Sequence, residues 1–276
     1  MIRYMKMGLL IFMLLIVPRV LFAQYPVFGD ERRPKGKVIS FTERCYETTQ
    51  GAPVLVSKNK FTYDQKGVLI ERIIYDTIDS TKTEQKVVYV YEDGELYEEV
   101  GENYKIRYAY DDNGKKLAEK YSSINVNHLK RFDYNMNGQL IKSTNYNSKG
   151  KLLYTETFKY DDQKTLLMFF HTVPDSTSKS FQAIYTKDAK GKRLSERVYA
   201  TTGYILYSKQ FEYDQEGQLA AEIHYNYAGA YDFTSKFKYS YDQVGNWISL
   251  VNKNKASSYL TTRVIEYSSD MVKKQR

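Results

Sequence analysis

The chain has 276 residues, 42% of them hydrophobic and 15% aromatic, with 28 Tyr and 13 Phe but 1 Trp. That length can bury a sizeable core in one large β domain or two smaller ones, and so aromatic a composition excludes intrinsic disorder. The net charge of +8 comes from 41 basic and 33 acidic residues interspersed along the chain, which excludes the concentrated basic face of a nucleic-acid-binding protein.

Residues 1–23 read as a secretory signal peptide. Arg3 and Lys6 precede an apolar run from Gly8 to Val17, and Ala23 supplies the small residue before the expected cleavage at Gln24. The run is about half of the ~20 apolar residues that a bilayer-crossing helix needs, so no transmembrane span is expected after cleavage. Loss of Arg3, Lys6 and Arg19 takes the basic residues from 41 to 38 against 33 acidic, a net charge of +5. Export places the mature protein in the periplasm, at the cell surface or outside the cell. Residues 24–37, with Pro26, Gly29 and Pro34 and no period, read as an extended lead-in. Cys45 is the one cysteine. It has no partner for an internal disulfide and is expected at a half-buried strand position.

From Val38 the alternation predicts a first strand over 38–47, ended by Gly51-Ala52-Pro53, and a single β domain over 38–268 followed by a basic tail, 269–276. A turn then recurs. Asp64 with Gly67, Asp111 with Gly114, Asn135 with Gly138, Asn147 with Gly150, Asp188 with Gly191, Asp214 with Gly217, Asn226 with Gly229 and Asp242 with Gly245 share one spacing. The Asp or Asn side chain bonds back to the backbone of a type I turn, and glycine takes the left-handed position of a bulged hairpin. Ala200 to Gly203 keeps only the glycine, Glu92-Asp93-Gly94 is shorter, and Asp161 to Lys164 has lost the glycine.

The aromatic positions before these turns give the topology. Tyr134 to Tyr146, Lys187 to Tyr199 and Tyr213 to Tyr225 are 12 residues apart, while Tyr146 to Tyr160 and Tyr199 to Tyr213 are 14. Each interval holds one strand and one turn, so successive turns fall on opposite edges of an antiparallel meander, with the better Asp turns on one edge. Dividing the array by its repeat predicts 16–18 strands. Open twisted sheets seldom exceed about ten strands, so the sheet is expected to curl. Counting by twos gives an inward aromatic stripe that includes Leu219, Ala221, Ile223 and Tyr225. It assigns Ser208, Gln210, Glu212, Glu222 and His224 to the other face.

Tyr-Asp-x-x-Gly-x-Leu at Tyr63 to Leu69 and Tyr213 to Leu219, and at Tyr241 to Trp247 with Trp in the Leu place, resembles the YD-repeat (RHS-type) family. The terminal copy, with Arg263-Val264-Ile265-Glu266-Tyr267, is similar to the last unit of small secreted Bacteroidetes proteins. The resemblance covers roughly residues 60–267. It implies spiralling β-shells or surface stalks, and with them a shell or chaperone role for a toxin-like partner. The last expected strand lies about ten residues from residue 276, and no toxin domain is expected.

No catalytic constellation emerges. His128, His171 and His224 lack metal-type spacing and are expected at strand surfaces. No serine lies in a nucleophile elbow, and Asp111-Asp112-Asn113-Gly114 lacks the later ligands of a calcium loop. No metal or cofactor is expected. The candidate binding residues are Tyr134, Tyr146, Tyr160, Tyr213, Tyr225 and Trp247, rigid rings with polar tips suited to stacking on carbohydrate or gripping protein. The same tyrosines also suit plain packing at each strand end. The expected function is a non-enzymatic binding or structural scaffold at the cell envelope. The alternative is a secreted hydrolase with its site in the irregular 170–184 region.

Overall fold

The computed structural model describes residues 34–49, 51–77, 84–162 and 165–269, so the expected signal peptide and most of the lead-in and the tail lie outside the described residues. The chain divides after Lys35, and the unit Gly36–Arg276 holds all the strands described here. They are β1 (Val38–Glu47), β2 (Val54–Tyr63), β3 (Leu69–Tyr75), β4 (Gln85–Glu92), β5 (Glu95–Val100) and β6 (Tyr104–Tyr110). Next come β7 (Lys116–Ser123), β8 (Asn127–Tyr134), β9 (Leu140–Asn147), β10 (Leu152–Tyr160), β11 (Leu166–Thr172) and β12 (Phe181–Lys187). The last are β13 (Arg193–Ala200), β14 (Ile205–Tyr213), β15 (Leu219–Tyr225), β16 (Tyr231–Tyr241), β17 (Trp247–Lys253) and β18 (Ser258–Tyr267).

Each strand pairs antiparallel with the next, and β18 pairs back onto β1, with Phe41 opposite Ile265, Glu43 opposite Arg263 and Cys45 opposite Thr261. The eighteen strands among the described residues match the top of the expected range, and the fold is all-β and antiparallel. The sheet does not stay an open curl. It closes into a barrel, which removes both edges and their unpaired backbone groups.

The recurring turn supplies the curvature. Asp64 Oδ1 accepts the N–H groups of Lys66 and Val68, each at 2.8 Å, while Gly67 N–H donates to Asp64 O at 3.0 Å. Gly67 sits at φ 77, and the glycines of the seven sister turns also have positive φ. Tyr63 then pairs with Leu69 although Thr62 pairs with Glu71, so Ile70 is an extra residue. Such a bulge bends and twists the strand. Repeated around the sheet, it carries β18 round to β1.

The bulge also corrects the assignment of faces. Tyr213 pairs with Leu219 but Glu212 pairs with Ala221, so the phase flips after Leu219. Leu219 shares its face with Glu222 and His224, while Ala221, Ile223 and Tyr225 point the other way. The same flip sends Tyr231 outward and keeps Phe233 inward, because Tyr225 pairs with Tyr231 but His224 with Phe233. The period of two holds within a strand and must be restarted at every bulge.

Followed through all the registers, one continuous face carries Phe41, Tyr63, Val87, Phe132, Phe158, Phe169, Tyr185 and Val198, all buried. The opposite face carries the exposed Val56, Val88 and Val90 together with many charges. Side chains converge and shield one another on the concave side of a closed sheet, so the aromatic face is the interior, as expected. The Asp64, Asp111, Asn135, Asp188, Asp214 and Asp242 turns lie on one rim; the Asn147, Ala200 and Asn226 turns lie on the other. The barrel is sealed where Val38, Phe41 and Tyr63 pack with Phe61, Leu69, Ile265 and Tyr267.

Candidate functional site: the inner wall

Three of the candidate tyrosines have a structural task. Tyr134 Oη donates to Lys116 O at 2.8 Å, Tyr160 Oη to Leu140 O at 2.7 Å and Tyr213 Oη to Arg193 O at 2.9 Å. Tyr91 Oη to Leu69 O and Tyr110 Oη to Leu96 O, each at 2.9 Å, follow the same rule. The tyrosine before one turn bonds the carbonyl just after the previous turn, which ties neighbouring hairpins into a belt beneath one rim. Burial raises the pKa of Tyr134, Tyr160 and Tyr213, and that of Tyr110 to about 12, so these four are protonated donors.

Tyr146 and Tyr225 are elsewhere. Tyr146 pairs with Leu129 and Tyr225 with Ser208, both on the convex face, because each precedes a turn on the far rim and lies one bulge out of phase. The six candidates therefore do not form one surface. Trp247 faces inward opposite Tyr241, with the Arg263 guanidinium 3.3 Å from its ring centroid. Arg263 Nε also donates to Glu43 Oε2 at 3.0 Å across the closing seam. Trp247 Nε1 is buried without a hydrogen-bond partner among the described residues.

The inner wall is more charged than the strand pattern suggests. Lys130 Nζ lies 2.9 Å from Glu156 Oε2, which also accepts from Ser143 Oγ at 2.6 Å, and all three side chains are buried. Arg193 Nη1 meets Glu196 Oε2 at 3.0 Å and stacks 4.1 Å above Tyr185. Glu222 lies between Lys209, 3.7 Å away, and His224, whose Nε2 approaches to 3.2 Å without hydrogen-bond alignment.

All three histidines face the interior instead of a strand surface. His171 sits between Tyr154 at 4.8 Å and Phe181 at 5.1 Å, His224 stacks on Phe233 at 4.1 Å, and His128 lies 6.2 Å from Tyr121. Burial, more than any neighbouring charge, holds His171 and His224 below the ordinary histidine pKa; Lys130 and Lys209 act in the same direction and Glu156 and Glu222 oppose them. The bulge after Leu219 puts His224 out of phase with a count from Tyr213, whereas His128 alternates directly with Lys130, Phe132 and Tyr134 on β8 and His171 with Phe169 on β11.

Among the rings of β14–β17, Tyr207 and Tyr241 each leave 39% of their surface open on the concave face, and Phe233, Phe237, Tyr239 and Trp247 beside them are half-buried. The expected irregular region is the β11–β12 connection, with one short 3-10 turn, Thr177–Lys179. Ser180 Oγ donates to Ser176 O at 2.9 Å and accepts from Val173 N at 2.8 Å, so its hydroxyl closes the loop. Cys45 is half-buried on β1, as expected. Among the described residues no group of His, Cys, Asp and Glu could hold a metal ion, and Asp111 Oδ1 accepts from Asn113 N and Lys115 N as a turn residue. No helix among them is long and apolar enough to cross a membrane.

Fold and wall together define a closed antiparallel β-barrel with an aromatic and charged interior. No protein family matches the chain, and no curated protein does. Among solved structures it is similar to a porin-like protein from Bacteroides uniformis, at 11% identity over 83% of this chain and 98% of that one, with a TM-score of 0.46. A porin-like protein from Bacteroides vulgatus gives 11% identity over 84% and 99% of the two chains, with a TM-score of 0.36. TcdB2-TccC3 gives 12% identity over 71% of this chain and 14% of that one, with a TM-score of 0.25.

Proposed function

We propose that the protein is an exported, non-catalytic barrel of the cell envelope that binds a carbohydrate or protein ligand along its inner wall. The supporting observation is the run of open rings on β14–β17. A concave wall buries most of its aromatics, yet Tyr207 and Tyr241 stay open beside Phe233, Phe237, Tyr239 and Trp247. Barrels of about 16–18 strands leave an interior wide enough for an aqueous channel, so such rings are within a ligand's reach. Rigid aromatics with polar tips, next to the paired charges of Lys209 and Glu222, suit ring stacking combined with hydrogen bonding. The turn repeat we read as YD-type, since its Tyr and Asp have the same tasks in successive copies.

The convex face supports a water-filled compartment over a lipid one. Lys86, Arg107, Lys120, Arg131, Lys142, Lys159, Arg197 and Lys236 are exposed there, each on a different strand. A cation facing lipid near the bilayer midplane costs about 2–4 kcal/mol. The test is the fluorescence of Trp247 on titration with glycans and peptides that score on arrays. A ligand that changes the emission, and whose affinity falls at least tenfold in Tyr241→Ala or Phe237→Ala, supports the reading. Clean arrays, or binding indifferent to both changes, overturn it.

A further inference from the structure

On the convex face of β7–β9 lies a concavity of about 690 Å³, to whose lining His128 and Asn147 of the inward register also contribute at the rim. Lys120, Leu129 and Tyr146 form one cross-strand row in it, and Arg131, two residues along β8 from Leu129, is diagonal to both ends of that row. Ser148 and Gly150 of the β9–β10 turn close one end, and no carboxylate lines it. Lys120 and Arg131 are exposed and have no ion-pair partner among the described residues. Arg107, whose Nε bonds Glu98 at 2.6 Å, lies directly opposite Lys120 on β6, and like charges facing across a ladder are unfavourable. Glu98 already neutralises Arg107, which leaves Lys120 and Arg131, diagonal to each other on β7 and β8, as like charges that an anion bridging the two relieves.

We propose that this concavity binds an acidic carbohydrate, a chain of uronate-bearing sugars. A guanidinium such as Arg131 matches a carboxylate with two parallel hydrogen bonds, and Lys120 supplies a second, mobile positive charge. Tyr146, half-buried with no hydrogen-bond partner for its hydroxyl among the described residues, gives a sugar ring a flat face to stack on. The volume is that of an ordinary small-ligand cleft and holds a short oligosaccharide. An acidic peptide suits the site less well. In a closed barrel no strand edge is free for strand addition, and Leu129 is the sole large aliphatic side chain in the lining.

Calorimetry on the exported protein distinguishes these cases, with a galacturonate hexasaccharide, maltohexaose and hexaglutamate as probes. The uronate chain should bind and the other two should not. Arg131→Ala, Lys120→Ala and Tyr146→Ala should each weaken it about tenfold or more, and Tyr146→Phe by less than about threefold. Lys236→Ala, which removes a convex-face charge on β16, and Trp247→Phe on the inner wall should leave the affinity unchanged, so the outcome is independent of ligand binding inside the barrel. Equal binding of hexaglutamate, equal loss in Lys236→Ala, indifference to Tyr146→Ala or absence of uronate binding would each overturn the proposal.

Discussion

At the scale of single residues, the interior is held by polar groups that only work in company. Lys130 and Glu156 are buried at 2.9 Å on strands two apart, with Ser143 between them. Removing one member strands the other charge away from water, which typically costs about 3–5 kcal/mol, while replacing both with apolar groups of similar size is often neutral. Glu156→Gln or Lys130→Met should therefore lower the urea midpoint sharply, and Lys130→Met with Glu156→Leu should recover most of the loss. A double variant no more stable than the singles would contradict this. His171 and His224 carry a pH signature. Their folded pKa values lie below the ordinary value of 6.5, so the unfolded chain takes up protons first. Stability should be level above about pH 7 and fall as the pH drops through 6.5 and below. Denaturation midpoints at pH 7.5 and 5.0 test this, since His171→Phe with His224→Phe should flatten the difference; an unchanged difference assigns the acid sensitivity to other groups.

At the scale of elements, the hairpin is the legible unit and the bulge is the illegible one. Asp64 and Gly67 announce their turn, because few other residue pairs satisfy its backbone bonds and left-handed φ. Strand β1 is legible from alternation alone. The inward positions of Glu222 and His224 are not, since one extra residue at position 220 reverses the phase and nothing in the local composition marks it. Nor does composition separate Tyr134, which faces in, from Tyr146, which faces out. The distinction lies in which rim each turn occupies. The tyrosine belt has one interruption that can be tested. Lys187 occupies the tyrosine place between Tyr160 and Tyr213, and the rule directs the missing hydroxyl to Leu166 O. Burial, and Arg193 with it, depresses the pKa of Lys187, so the cation is poorly accommodated there. Lys187→Tyr should stabilise by about 1 kcal/mol, or roughly 2–4 °C in melting temperature, and Tyr160→Phe should cost a similar amount. A melting point unmoved by both would deny the belt any energetic role.

At the scale of the whole molecule, closure depends on the contact most distant in sequence. Successive strands meet through short turns, but β1 must find β18 more than 200 residues away, and until it does the sheet has two open edges. The seam is built to hold once formed. Phe41 is 2% exposed and stacks on Phe61 at 4.6 Å, Ser40 Oγ donates to Glu266, Arg263 bridges to Glu43, and Tyr267 bonds Asp242 and Asn246 of the turn between β16 and β17. Phe41→Ala opens a cavity at the center of that cluster, which typically costs about 3–5 kcal/mol. Because the other strand pairs do not pass through this residue, the loss should be local before it is global. Hydrogen exchange in the variant should quicken first along β1 and β18, while β8–β10, clamped by Lys130 and Glu156, keep their protection. The freed edges should also make the variant associate with itself in proportion to concentration. Uniform loss of protection around the ring would mean that the barrel opens as one cooperative unit, and that the seam is no weaker than any other pair of its strands.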